Sequence, residues 1–274
     1  MDGQRLYRGK TEADTHLFMS PVQSDMMSQG NKLFIDGTFG TAPVPFYQIL
    51  VTRTKLDGIP VTTSFSLLPN KRMDTYVSAL RHIKETAAKD GFILDFVYVH
   101  VDCEKGLFEA VRRVSHWIQV KLCDFHVVDS IRNNKVKHCL PPLCRQNTSV
   151  KDWCEWLPLV MWFPLPLIPR LWDLMFSQLD DDMQINSNVL AMKSYMEKTW
   201  VPTSFPVEKG STQFDVVMTN LFDLPDNDTN NNASESYNSR LKSRFGLHPN
   251  IFKFASGEKI KRKRKKGGKK KGRK

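Results

Sequence analysis

The chain has 274 residues, of which 41% are hydrophobic and 11% aromatic, so its composition excludes an intrinsically disordered protein and leaves ample core. The formal net charge of +11 is concentrated at the C-terminus, because residues 259–274 hold twelve Lys or Arg and no acid. The preceding 258 residues are therefore nearly neutral, and the basic signal belongs to the tail. Five scattered cysteines argue against a disulfide framework and favour a reducing compartment.

The elements are predicted in chain order from hydrophobic periodicity. Residues 1–30 are polar with little periodicity, which predicts a lead-in to the fold. Three strand-like runs follow at 32–39, 46–53 and 59–68, and the turn-like "KLDG" between the last two favours an antiparallel meander. The next segments predict a helix, a strand, a helix and a strand: "DTYVSALRHIKETAAK", "FILDFVYVHVD", "EKGLFEAVRRV" and "WIQVKLC". From about 127 to 250 the pattern is mainly helical, with a proline-rich interruption at 141–169.

This order of elements predicts an α/β fold. A meander that leads into strand–helix–strand crossovers forms a mixed five-stranded sheet with helices on both faces, which is the layout of an RNase H-like core. The most apolar stretch has 14 uncharged residues, from Trp156 to Pro169, and four of them are proline. A membrane-spanning helix needs about 20 apolar residues, so we expect a buried, kinked connection and no membrane partner.

Two acidic residues occupy positions where an apolar residue is expected. Asp36 interrupts the first strand, and Asp102 ends the fourth, which is its neighbour in this layout. Carboxylates on adjacent strand ends lie about 5 Å apart and repel each other unless a cation lies between them. Hard oxygen ligands suit Mg²⁺ or Mn²⁺, and Glu235, at the start of a helix, would complete a two-metal set. The alternative is that Asp36, before Gly-Thr, is an ordinary turn residue.

Several segments in sequence order resemble the transposase domain of Mutator-like (MULE) elements: "LFIDGTFGTAPVPFYQIL", "IPVTTSFSLLPNKRMDTYVSALRHIK", "VDCEKGLFEAVRRV", "VKLCDFHVVDSIRNN", "MKSYMEKTWVP" and "NNNASESYNSRL". The resemblance covers residues 31–250. It implies an RNase H-like core at about 31–135 and 225–250, a mainly helical insertion at about 136–224, and a metal-dependent acidic triad that cuts and joins DNA. The triad residues would be Asp36 in "DGTF", Asp102 in "VDCE" and Glu235 in "ASESYN". Glu104 is an alternative to Asp102, and it is equally well explained as an acid at a helix N-terminus.

The segment "CDFH" matches the Cys-x-x-His element of the same family at Cys123 and His126. Cys and His at this spacing can hold one Zn²⁺ from two sides, but a structural zinc site needs four ligands. The candidates to complete it follow no recognisable zinc-finger spacing: His138, Cys139, Cys144 and Cys154. In the alternative interpretation, Cys123 packs in the strand and His126 points at the active site or a backbone phosphate.

The C-terminal segment, residues 251–274, ends in a run too charged to pack and is predicted to be disordered. Such a run can act as a nuclear import signal, as a phosphate-binding arm with steep salt dependence, or as both, and a merely solubilising tail is the alternative. The residues expected to contact nucleic acid are Lys261, Arg262, Lys263, Arg264, Lys265, Lys266, Lys269, Lys270 and Lys271.

The resemblance, together with the basic tail, implies a nuclear, transposase-like domain that cleaves DNA and transfers strands with Mg²⁺ or Mn²⁺ in a two-metal site. Zinc-binding modules that flank this domain in many family members are not visible, so the chain is also consistent with a truncated copy. The alternative is a domesticated, catalytically silent regulator that binds DNA or chromatin. A third interpretation is a nuclear scaffold that uses the fold for dimerisation, and homo-oligomerisation stays open under each hypothesis.

Overall fold

The computed structural model describes residues 6–222, 224, 239, 242–243 and 246–250. Its strands are β1 (Tyr7–Lys10), β2 (His16–Phe18), β3 (Lys32–Thr38), β4 (Gln48–Leu56), β5 (Ile59–Leu68), β6 (Tyr98–Val101) and β7 (Gln119–Leu122). The α-helices are α1 (Pro21–Ser28), α2 (Met73–Lys89), α3 (Lys105–Val114), α4 (Asp124–Lys137), α5 (Leu140–Gln146), α6 (Thr148–Trp156), α7 (Ile168–Ser177), α8 (Asp181–Gln184), α9 (Ser187–Thr199) and α10 (Val216–Thr219).

The strands form one open, mixed sheet in the order β1-β2-β5-β4-β3-β6-β7. The meander β3-β4-β5 is antiparallel as predicted, and Asp57-Gly58 forms the two-residue turn between β4 and β5 with positive φ at both positions. Strands β6 and β7 then join parallel to β3 and to each other. The α/β class, with helices flanking a mixed sheet, is thus confirmed.

The prediction of five strands was wrong, because the sheet has seven. The two additional strands, β1 and β2, lie within residues 1–30, which were predicted to be a lead-in. They have only four and three residues, too few for a two-residue periodicity to stand out from the sequence. Helix α1 follows and begins with a capping box. The Ser20 hydroxyl accepts a hydrogen bond from the Gln23 backbone N–H, and the Gln23 side-chain oxygen accepts one from the Ser20 backbone N–H.

One polar network fastens this N-terminal segment to α2. Asp90, the C-cap residue of α2, accepts hydrogen bonds from Arg8 on β1 at 2.5 Å and from Ser24 on α1 at 2.6 Å. The Arg8 and Asp90 side chains are only 16% and 10% exposed, so the ion pair is shielded from water. Stabilisation of this segment therefore depends on partners 66 and 82 residues away in the chain.

Asp90→Ala should lower the free energy of unfolding by roughly 1–3 kcal/mol, because it removes a partly buried, charge-assisted pair and leaves Arg8 only the Met19 carbonyl as an acceptor among the described residues. Urea unfolding followed by circular dichroism measures the change. Glu155→Ala is the matched control, since the Glu155 carboxylate pairs with Lys151 on the exposed surface of α6. If the two variants lose equal stability, the network does not hold the segment.

The core lies between the sheet and the helices. Helix α2 buries Tyr76, Leu80 and Ile83 against residues of β3 and β6, and α3 packs beside it. The structure describes all of residues 140–219, and every regular element in this region is helical. Two of these elements are 3₁₀ helices in the proline-rich part, Leu157–Trp162 and Leu165–Leu167. No helix in the described ranges combines the length and the apolar character that crossing a membrane requires.

Candidate functional site

The C-terminal ends of the three parallel strands β3, β6 and β7 lie side by side at one end of the sheet. The register pairs Ile35 with Val101 across β3 and β6, so Asp36 and Asp102 follow at the same level on neighbouring strands. Parallel neighbours lie about 4.8 Å apart, which is close enough for their side chains to interact. The expectation that these two strands adjoin is therefore confirmed by the sheet order.

The electrostatics of Asp102 reflect this arrangement. Burial and, after it, the negative charge of Asp36 together raise the pKa of Asp102 to about 7, whereas the charge of His126 acts in the opposite direction. Asp36 is itself 2% exposed. Two carboxylates that share one site cannot both ionise without a compensating charge, so this pair favours a proton or a cation between its members.

A series of polar interactions connects Gln48 and Tyr76, on the α2 side of the sheet, to Asp102. Gln48 donates its side-chain N–H to the Tyr76 hydroxyl at 2.6 Å, and that hydroxyl interacts with the Glu104 carboxylate. Burial, together with the charges of Glu104 and Asp102, raises the pKa of Tyr76 far above its ordinary value of 10, so it stays protonated. The Glu104 backbone N–H in turn donates to Asp102 at 3.1 Å.

Glu104 is the N-cap residue of α3, and no hydrogen bond from its side chain caps the helix within the described residues. Glu104 begins a helix, and it also lies close enough to Asp102 for its charge to raise the pKa of that carboxyl.

Gly37, which has no side chain, leaves a narrow space beside the Gln48 side chain. A methyl group at Gly37 would lie 2.8 Å from Gln48 Oε1 and 3.9 Å from Asp102 Oδ2. Gly37 pairs with Leu50 across β3 and β4, and Gln48 lies two residues further along the same face of β4. Asp102, at the end of β6, is thus close both to the charge of Asp36 and to the side chain of Gln48.

The Cys-x-x-His element is split between two environments. Cys123 follows β7 directly and is buried. The pKa of Cys103 is raised mainly by burial, then by the charge of Asp102, and least by the nearby Cys123. His126, in the first turn of α4, acts electrostatically on Asp102. These placements favour the interpretation in which the cysteine packs at the strand end and the histidine faces the carboxylates.

The other zinc candidates lie in the helical region. Cys154 on α6 is buried and interacts with Cys144 on α5, and this burial, with the second thiol, raises the pKa of Cys154 to about 12. Cys139 is exposed at the start of α5. Among the residues that the structure describes, no three His, Cys, Asp or Glu side chains are grouped so that they could hold a metal ion.

The carboxylate pair nevertheless suits a hard divalent cation. Its donor atoms are carboxylate oxygens, one of the two carboxylates is almost fully buried, and their mutual repulsion would be relieved by a positive charge. The third predicted acid, Glu235, lies outside the described residues. So do the predicted nucleic-acid-binding residues of the tail, from Lys261 to Lys271.

Sequence reasoning missed Gln48 and Tyr76 as members of this site. Gln48 gave the same kind of signal as Asp36, since it is a polar residue in an apolar run, "FYQILV". Tyr76 gave no such signal, because an aromatic residue on the apolar face of a helix is predicted to be an ordinary core residue. Comparison of the chain with family models and with curated proteins finds no match.

Proposed function

We propose that this chain is a transposase-like domain of the Mutator-like type, which cleaves DNA phosphodiester bonds and transfers strands with Mg²⁺ or Mn²⁺. The observation that carries the proposal is the adjacency of Asp36 and Asp102 at the ends of two parallel strands, where they share one electrostatic environment. A buried carboxylate pair of this kind is costly for folding unless hydrogen bonds or a positive charge compensate it, and a divalent cation would supply that charge.

The strand order supports an RNase H-like core. An antiparallel meander, β5-β4-β3, continues into parallel β6 and β7 through helices α2 and α3. Strands β1 and β2 then extend the sheet beyond β5. In this proposal the core lies at about 31–135 and 225–250, the helical insertion at about 136–224, and Glu235 supplies the third carboxylate.

Asp36 and Asp102 would hold the cation, and both must be ionised to do so. When bound, a pair of such cations would supply activation of water or a 3′-hydroxyl for attack and stabilisation of the leaving oxygen. The protein's own part is to orient Asp102 through the Glu104 backbone N–H and to keep Tyr76 protonated beside it. His126 lowers the pKa of Asp102 and so favours its ionised form.

DNA is the proposed partner and the nucleus the proposed location. The basic tail supplies the phosphate contacts in this proposal, which should make DNA binding steeply salt-dependent. A silent regulator that binds DNA through the tail is the second candidate, and the charge density of residues 259–274 is the observation that favours it.

The test is nicking of supercoiled plasmid by the full chain in Mn²⁺. Asp36→Asn and Asp102→Asn should each lower the nicking rate by at least about 100-fold, because loss of a cation ligand costs more than loss of an outer partner. Asp95→Asn is the matched control, since Asp95 is an exposed acid that precedes β6 at its other end. Folded wild-type protein that binds DNA through its tail but does not nick it would favour the silent regulator.

A further inference from the structure

The Gln48 side chain is fully buried, and its two polar atoms differ in their surroundings. Its Nε2 donates to the Tyr76 hydroxyl and, at 3.4 Å, to the Asn70 carbonyl oxygen. Because a carbonyl oxygen can only accept, whereas a hydroxyl can also donate, the bond to Asn70 is the one that assigns Nε2 to this side of the amide. Within the part of the chain that the structure describes, Gln48 Oε1 is a buried acceptor with no hydrogen-bond donor.

The position of this oxygen places it near the Asp102 carboxylate. Gln48 Oε1 and Asp102 Oδ2 both lie beside Gly37, within 2.8 and 3.9 Å of the point that a methyl group there would occupy. Only glycine leaves this space clear, since any side chain at position 37 would displace the amide. A buried acceptor is stable only when it receives a hydrogen bond, and neighbouring carboxylates cannot donate one once they are ionised.

We propose that Gln48 is a positioning residue of the carboxylate site, whose Oε1 accepts a hydrogen bond from a water molecule carried by the divalent cation that Asp36 and Asp102 hold. Mg²⁺ and Mn²⁺ sites with few carboxylates keep several bound waters, and these waters are strong donors. Tyr76 holds the amide in this orientation. The inference rests on the proposed function, because it requires the cation.

The experiment measures the Mn²⁺ dissociation constant of the full chain by electron paramagnetic resonance of free Mn²⁺, without DNA. Gln48→Met keeps the length and volume of the side chain but removes the oxygen, and it should weaken Mn²⁺ binding by roughly 10- to 100-fold. Gln48→Glu restores an oxygen at the same place and should recover or exceed wild-type affinity. Gln119→Met, at the exposed start of β7, is the matched control and should leave affinity unchanged.

Gly37→Ala provides a second test that leaves the glutamine in place. Its methyl group would displace Oε1 and should weaken Mn²⁺ binding in the same direction. If Gln48→Met and Gly37→Ala, both folded, bind Mn²⁺ within twofold of wild type while Asp102→Asn does not, the inference is wrong and the carboxylate site stands. Absence of Mn²⁺ binding by the wild type overturns both proposals. Mn²⁺ binding without plasmid nicking overturns only the proposed function.

Discussion

In the absence of divalent cations, Asp102→Asn should be more stable than the wild type at pH 8, by roughly 2–4 kcal/mol in the free energy of unfolding. This is the opposite of what substitution of a structural, ion-paired aspartate does. The folded state keeps Asp102 partly buried next to Asp36, and ionising it there is unfavourable. Asparagine occupies the same space without a charge, so the repulsion disappears.

The pH dependence gives this prediction its sign. The pKa of Asp102 is about 7 in the folded protein and has an ordinary value of 3.8 in the unfolded chain. Between these values the folded state binds more protons, so the wild type loses stability as the pH rises. The stabilising contribution of the protonated carboxyl is complete below about pH 4 and is lost as the pH passes through 7.

Urea unfolding in EDTA at pH 5, 6, 7 and 8 measures the effect. The wild type should lose stability across this series, and Asp102→Asn should lose much less. Adding Mn²⁺ at pH 8 should restore the stability of the wild type and have little effect on the variant, because the cation binds the folded state and compensates the two ionised carboxylates. A variant less stable than the wild type at every pH would mean that Asp102 has a structural role, and Asp95→Asn controls for the charge change alone.

The site residues that could be predicted from the sequence are those that interrupt the hydrophobic pattern. Asp36 in a buried strand and Asp102 at a strand end were identifiable from the sequence, and the order of elements was enough to make β3 and β6 neighbours. The pattern could not show that Tyr76 on α2 would reach Glu104 and Gln48, because that contact depends on how the helix packs over the sheet.

The missed strands have the same physical origin. Strands β1 and β2 are short, and a bond between Arg8 and Asp90 joins residues far apart in the chain, so no local window contains the stabilising interaction. Strands β4 and β5, by contrast, are nine and ten residues long and are joined by a two-residue turn, so their pattern is complete within one window. Local signals therefore predicted the long elements, and tertiary contacts determined the rest.

Trp153→Ala should lower the free energy of unfolding by roughly 3–5 kcal/mol. Trp153 is 0% exposed on α6 and lies within about 6 Å, ring centre to ring centre, of Trp172 and Phe176, at 6.1 and 6.2 Å. Truncation would leave a large cavity between α6 and α7, because two further aromatic rings limit how far the site can collapse. This cluster is the centre of the helical region's core.

Trp117→Ala is the matched control. Trp117 is 56% exposed and contacts Lys84 in a cation–π arrangement at 4.9 Å, so its loss should change stability by less than about 1 kcal/mol. Urea titrations of both variants, with equal slopes, measure the difference. An equally small loss for Trp153→Ala would mean that the helical region is not packed around this residue. The expected contrast would assign Trp153 to the packed core between α6 and α7.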